Sequence, residues 1–148
     1  LEKILPQVYK TVILREPLDR MISHYLYIRR CGNNPGWLYS DDFDPNLSFK
    51  DFAFRDNVKN YQTKCLGPLK LEDFDLVGVT KNLDGFVDTL FGVEGKKKPV
   101  VRANSISRRN KHKKLNIDNQ FISSFKEFNK IDYKNYKLAL QIVNGQTK

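Results

Sequence analysis

Residues 14–25 read LREPLDRMISHY, and two of them, Arg15 and Ser23, are of types suited to holding an oxyanion. Arg15 carries a permanent, planar guanidinium whose fork matches two oxygens of a phosphate. Pro17, two positions on, pre-sets the backbone for the first turn of a helix. Ser23 falls six residues into that helix, roughly 9 Å along its axis, and offers a small hydroxyl donor outside the apolar stripe. A helix start also presents free backbone N–H groups and the positive end of a dipole. Together these make a phosphate clamp; they supply no catalytic base. The competing reading is an ordinary strand–helix junction in which Arg15 pairs with Glu16 or Asp19. Spacing alone leaves both open.

The elements that would position this clamp follow from periodicity. VYKTVIL (8–14) is a β-branched apolar run and reads as a buried strand. Leu18, Met21, Ile22, Tyr25 and Leu26 then recur as one stripe of an amphipathic helix running to about Arg30. Strand, tight turn, helix is the local grammar of an α/β fold, whose ligands gather at the carboxyl ends of parallel strands. GNNPGWLYSDDFDPNL (32–47) reads as a surface loop. Ser48 with Asp51 marks a helix start, and the helical stretch continues through NYQTKCL to stop at Gly67-Pro68. DLVGVT (75–80) reads as a second buried strand. Thr80 is placed to cap a helix that turns Leu83, Phe86, Val87, Leu90 and Phe91 inward and ends near Gly92. A short strand is expected at Pro99–Arg102. Asp118 caps a helix carrying Phe121, Ile122 and Phe125. Asp132 caps a last one carrying Tyr133, Tyr136, Leu140 and Val143, closed by Gly145. The expectation is one α/β domain over residues 1–148, a parallel sheet flanked by helices.

Composition narrows the function. Of 148 residues 40% are hydrophobic, including 10 Phe and 7 Tyr, which suits a packed core and excludes a disordered tail. No run approaches the ~18 apolar residues of a membrane span, and no charged-then-apolar leader opens the chain. The net charge is +9, but segment 96–114, KKKPVVRANSISRRNKHKK, holds nine Lys and Arg and no carboxylate, leaving 17 basic and 17 acidic groups elsewhere. The excess is one anion-facing loop. No aromatic interleaves its cations, which argues against single-stranded nucleic acid and for an acidic glycan or a phosphorylated ligand. A non-catalytic polyanion-binding domain is therefore the alternative function. Cys31 and Cys65, with only His24 and His112 beside them, give no metal-ligand spacing; two buried free thiols are expected rather than a disulfide. His24 reads as a packing or surface residue and His112 as a loop residue among cations. Asp41, Asp42 and Asp44 lack metal-loop spacing and face solvent. Trp37 is the one aromatic kept as a sugar-stacking candidate.

R-x-P-x-x-R-x-x-S-x-Y after an apolar strand, here Arg15, Pro17, Arg20, Ser23 and Tyr25, resembles the 3′-phosphate-binding element of sulfotransferases that use 3′-phosphoadenosine 5′-phosphosulfate (PAPS). Closest are the Golgi-type carbohydrate sulfotransferases and their bacterial relatives. NYQTKCLG (60–67) resembles the family's N-x-Q-T-R-x-L-x-G, with Lys64 in place of Arg. DLVGVTKNLDGFVDTL (75–90) resembles its D-x-V-G-x-T-E-x-L-D, with Lys81 in place of Glu. Ser105 and Arg108 in NSISRRNK resemble its S-x-x-R loop, and 132–144 its C-terminal D-x-x-L-Y-x-x-A helix, with the tyrosines shifted. The resemblance implies a P-loop-kinase-like sulfotransferase fold. It further implies that Arg15 and Ser23 bind the cofactor's 3′-phosphate, that Arg20 braces the junction by pairing with a carboxylate or a carbonyl, and that Ser105 and Arg108 contact the nucleotide. The implied reaction moves a sulfuryl group from PAPS to a hydroxyl, expected on a carbohydrate, and releases 3′-phosphoadenosine 5′-phosphate (PAP), with no metal. The family's Gly-rich phosphosulfate loop and its base precede this element, and residues 1–14 hold neither. The chain is thus expected to be the C-terminal part of a longer enzyme, the alternative being a degenerate relative that cannot complete the chemistry. The compartment stays open: cytoplasm for bacterial relatives, Golgi lumen for animal ones.

Overall fold

A computed structural model describes residues 9–31, 46–91 and 115–146. The expected strand at 99–102, Trp37, Ser105, Arg108, His112 and the whole basic segment lie outside the described residues. The element order is β1 (Thr11–Leu14), α1 (Pro17–Cys31), α2 (Phe49–Ala53), α3 (Tyr61–Leu66), β2 (Leu76–Val79), α4 (Leu83–Phe91), α5 (Asn119–Phe128) and α6 (Lys130–Gln146). Single 3₁₀ turns at Leu71–Asp73 and Thr80–Asn82 flank β2. The architecture is α/β and mostly helical, around a two-stranded parallel sheet.

The two strands pair from Thr11↔Leu76 to Leu14↔Val79. Asp75 opens the ladder: its N–H and that of Leu76 donate to the Lys10 carbonyl at 2.9 and 3.2 Å, while its carboxylate accepts from the Lys10 N–H at 2.7 Å. A parallel pair needs a long crossover, and α1 to α3 supply it.

Alternation along the strands fixes what each face meets. Val77 and Val79, in register with Val12 and Leu14, pack against Tyr136 and Ala139 of α6. Gly78 points the other way, toward α4, where an added Cβ would come within 2.2 Å of the Phe86 ring. All four β2 residues are therefore buried. β1 departs from expectation: only Leu14 is buried, and Ile13 is 39% exposed. Among the described residues, helices cover the Val12/Leu14 face of β1 and leave the Thr11/Ile13 face bare.

α1 buries Leu18, Met21, Ile22 and Tyr25 as its periodicity predicts, adds Ile28, and leaves Leu26 half-buried. The stripe meets aromatic side chains from α2 and α5. Tyr25 lies 5.3 Å from Phe49 and 5.4 Å from Phe52, and Phe49 lies 5.4 Å from Phe121. Such pairs add about 0.5–1.5 kcal/mol each beyond the burial of their area. The Tyr25 hydroxyl donates to the Leu47 carbonyl at 2.9 Å.

Several boundaries differ from the sequence reading. The helix expected from Ser48 through NYQTKCL is two helices, because residues 54–60 turn and Asn60 takes φ +48°. Ser48 does cap the first of them, its Oγ accepting from the Asp51 N–H. Thr80 does not cap α4: it is exposed and begins a 3₁₀ turn that feeds the helix. Phe91, expected inside, is 68% exposed as the last residue of its helix. Asp118 caps α5 as expected, accepting from the Phe121 N–H at 2.7 Å; that bond and nearby Lys50 hold its carboxyl below the usual range. α6 begins two residues before Asp132 and runs past Gly145. Cys65 is exposed on α3, contrary to the buried thiol expected there.

Candidate functional site

At the end of β1 the ladder stops at Leu14, because the partner strand turns away at Thr80. The peptide groups on either side of Arg15 need other partners. Gln62 of α3 supplies both. Its Oε1 accepts from the Arg15 N–H and its Nε2 donates to the Arg15 carbonyl, each at 2.9 Å. The Arg15 side chain is half-buried and has no ion-pair partner among the described residues. The junction reading in which Arg15 pairs with Glu16 or Asp19 is thereby set aside.

Glu16 is engaged elsewhere. Its Oε2 accepts from the Asp19 N–H at 2.7 Å, capping α1, and its Oε1 accepts from the Tyr133 hydroxyl at 2.8 Å. The backbone of Leu18 hydrogen-bonds the same phenol, and burial followed by the Glu16 charge keeps that phenol protonated far above its usual range. Pro17 has no N–H. The first turn of α1 therefore presents few free donors, and the sequence expectation that its tip favours an anion is corrected. A carboxylate from the chain already occupies the dipole's positive end.

Ser23 lies within α1, eight residues after Arg15. It is half-buried, off the core stripe, and one turn from exposed Tyr27. No hydrogen bond to its hydroxyl is seen among the described residues. The guanidinium of Arg20, expected to pair with a carboxylate or a carbonyl, lies 4.5 Å from the centroid of Tyr61. His24 packs beside it, 5.6 Å from Phe52 and 6.0 Å from Tyr61 between ring centroids. Burial first, and the Arg20 charge second, lower its pKa from 6.5 to about 4. At neutral pH His24 is an uncharged packing residue.

The frame behind Gln62 is a reciprocal cap between two helices. Asp132, in the first turn of α6 and 3% exposed, accepts from the N–H groups of Gln62 at 3.1 Å and Thr63 at 2.8 Å, and from the Thr63 hydroxyl at 2.6 Å. It thus caps α3, not the helix the sequence assigned to it. In return the Asn60 side-chain oxygen accepts from the N–H groups of Ile131 and Asp132, both at 3.2 Å, and so caps α6. The Asn60 N–H donates to Asn129 Oδ1 at 2.8 Å. Sequence reasoning missed Gln62, Asp132, Glu16 and Tyr133 as parts of one assembly. One signal was present: Asp132, Tyr136 and Ala139 share a helical face, and a carboxylate in an apolar stripe needs a partner.

Of the residues singled out from sequence, Arg15 sits at this junction and Ser23 lies farther along α1; Ser105, Arg108 and Trp37 lie outside the described residues. A cavity of about 190 Å³ sits elsewhere, between β2, α4 and the end of α6. Neither Arg15 nor Ser23 lines it, and among the described residues its walls hold no cation for a phosphate. Among the described residues no cluster of His, Cys, Asp and Glu could hold a metal, and no helix is long and apolar enough to cross a membrane. No family model, curated protein or solved structure matches the chain.

Proposed function

We propose that this chain supplies the 3′-phosphate-binding half of a PAPS-dependent sulfotransferase with a P-loop-kinase-like fold, acting on a hydroxyl of a carbohydrate. Arg15 provides the fixed charge for the 3′-phosphate and Ser23 a hydroxyl donor farther along α1. Ser105 and Arg108 add contacts to the nucleotide, and Trp37 stacks on the acceptor sugar. The transfer breaks the bond from sulfur to the 5′-phosphate oxygen and forms one to the acceptor oxygen, with PAP leaving. This chain's residues bind and orient the nucleotide; none is assigned as the base that takes the acceptor's proton. Like phosphoryl transfer, the step is driven by positioning and by neutralising charge on oxygens.

The observation that carries this reading is convergence on one strand end. Segments around residues 15, 62 and 132 were singled out separately by motif, and Gln62 bonds Arg15 while Asp132 holds Gln62. The result is a guanidinium on a braced backbone with no ion-pair partner among the described residues. Calorimetry with PAP on the wild type and on Arg15→Ala tests it. Loss of a charge-assisted phosphate contact should weaken binding by about 1.5–3 kcal/mol, and equal affinity for both proteins would remove the assignment. Salt-sensitive retention on heparin without PAP binding would favour the polyanion-binding alternative.

A further inference from the structure

We infer that Gln62 is a positioning residue for Arg15, setting the direction in which its guanidinium meets a phosphate; the inference rests on the nucleotide-binding reading of that site. The Arg15 N–H and C=O belong to two different peptide planes, one on each side of its α-carbon. Pinning both to one rigid side-chain amide, each at 2.9 Å, fixes φ and ψ at Arg15 and with them the Cα–Cβ direction. A neighbouring strand would do the same, but the β1–β2 ladder has ended one residue earlier. Gln62 therefore stands in for a strand at the one residue where the ladder is missing and a long cation has to be aimed.

The amide is itself held from behind. Its backbone N–H donates to buried Asp132, and the next residue, Thr63, gives that carboxylate two further bonds. The Gln62 side chain thus starts from a helix turn locked to α6, 70 residues away in sequence. An arginine side chain has many rotamers to lose on binding. A fixed backbone removes two further degrees of freedom before the ligand arrives, which raises affinity without any contact between Gln62 and the ligand. A residue that only stabilised the fold would not act through Arg15 in particular.

A double-mutant cycle separates these roles. PAP binding is measured by calorimetry on the wild type, Gln62→Met, Arg15→Ala and the double variant, with melting temperatures to confirm folding. Adenosine 5′-phosphate, which lacks the 3′-phosphate, is the control ligand. Gln62→Met should weaken PAP binding about tenfold in the wild-type background and have no further effect once Arg15 is gone, an interaction within the range for coupled residues. Adenosine 5′-phosphate should bind the wild type and Gln62→Met equally. If Gln62→Met does not fold, Gln62→Asn, one methylene too short to reach both peptide groups, takes its place in the cycle. No loss, or the same loss with and without Arg15, would overturn the positioning role. A wild type that does not bind PAP would overturn the nucleotide reading itself and this role with it, and that failure is visible before any variant is made.

Discussion

The two strands of the sheet end in the same way locally and are held in different ways. β1 ends at Leu14 and leads through Arg15 and Glu16 into α1; β2 ends at Val79 and leads through a 3₁₀ turn into α4. At the first junction three polar side chains arrive from far along the chain. Gln62 brackets Arg15, Tyr133 donates to Glu16, and Asp132 anchors Gln62. At the second, Thr80 and Lys81 are exposed, and among the described residues a local hydrogen bond runs from the Thr89 hydroxyl to the Gly85 carbonyl at 2.8 Å. What secures that junction is close apolar packing of Phe86 over Gly78. Packing fixes an element but aims nothing in particular. A set of directional bonds converging on one arginine fixes the origin of a charge. That difference separates the candidate site from a strand end of equal local grammar.

The contrast can be broken at either junction. The largest effect is expected from Asp132→Ala, which leaves two N–H groups at the start of α3 and the Thr63 hydroxyl without their buried acceptor. Urea unfolding should show a loss of about 3–4 kcal/mol, whereas Thr80→Ala should stay within about 0.5 kcal/mol; similar values for the two would erase the distinction. Gly78→Ala comes next. The new methyl group would overlap the buried Phe86 ring, so the β2 junction should lose about 1–3 kcal/mol by overpacking, with PAP affinity untouched. The smallest effect concerns pH. Because the folded-state pKa of His24 is lowered to about 4, the unfolded chain takes up a proton near 6.5 that the folded chain refuses. The neutral ring's contribution is complete above pH 6.5 and is lost as pH falls toward 4. The full shift corresponds to ~3.4 kcal/mol, and partial exposure of the ring reduces this to about 1–2 kcal/mol. Urea midpoints of wild type and His24→Leu should diverge across that interval; parallel curves would show that His24 is not held neutral by the fold.

Much of the frame was legible before any coordinates. The period of α1, the apolar runs of both strands and the caps at Ser48 and Asp118 are local signals, and local physics sets them. The junction at Arg15 was legible for the same reason. The bracing was not, because it depends on pairs 47 to 117 residues apart, and no spacing rule connects Gln62 to Arg15 or Tyr133 to Glu16. Asp132 shows the limit well. Its side chain has the chemistry of a cap, and a cap it is, but for α3 instead of its own helix. The exposed face of β1 marks another: a β-branched run reads as buried on both faces, while Ile13 is open among the described residues. The helix-tip anion site failed for a subtler reason, since Glu16, which the competing reading offered as a partner for Arg15, caps α1 instead.

The claim that the β1 junction is the ligand-binding end of this sheet is most directly tested by titrating PAP into the ¹⁵N-labelled protein and following backbone amides by NMR. Saturable shifts centred on residues 15–23, reaching Gln62 and leaving 79–84 unmoved, are the predicted result. Shifts confined to the basic segment 96–114, or centred on the β2 junction, would contradict it.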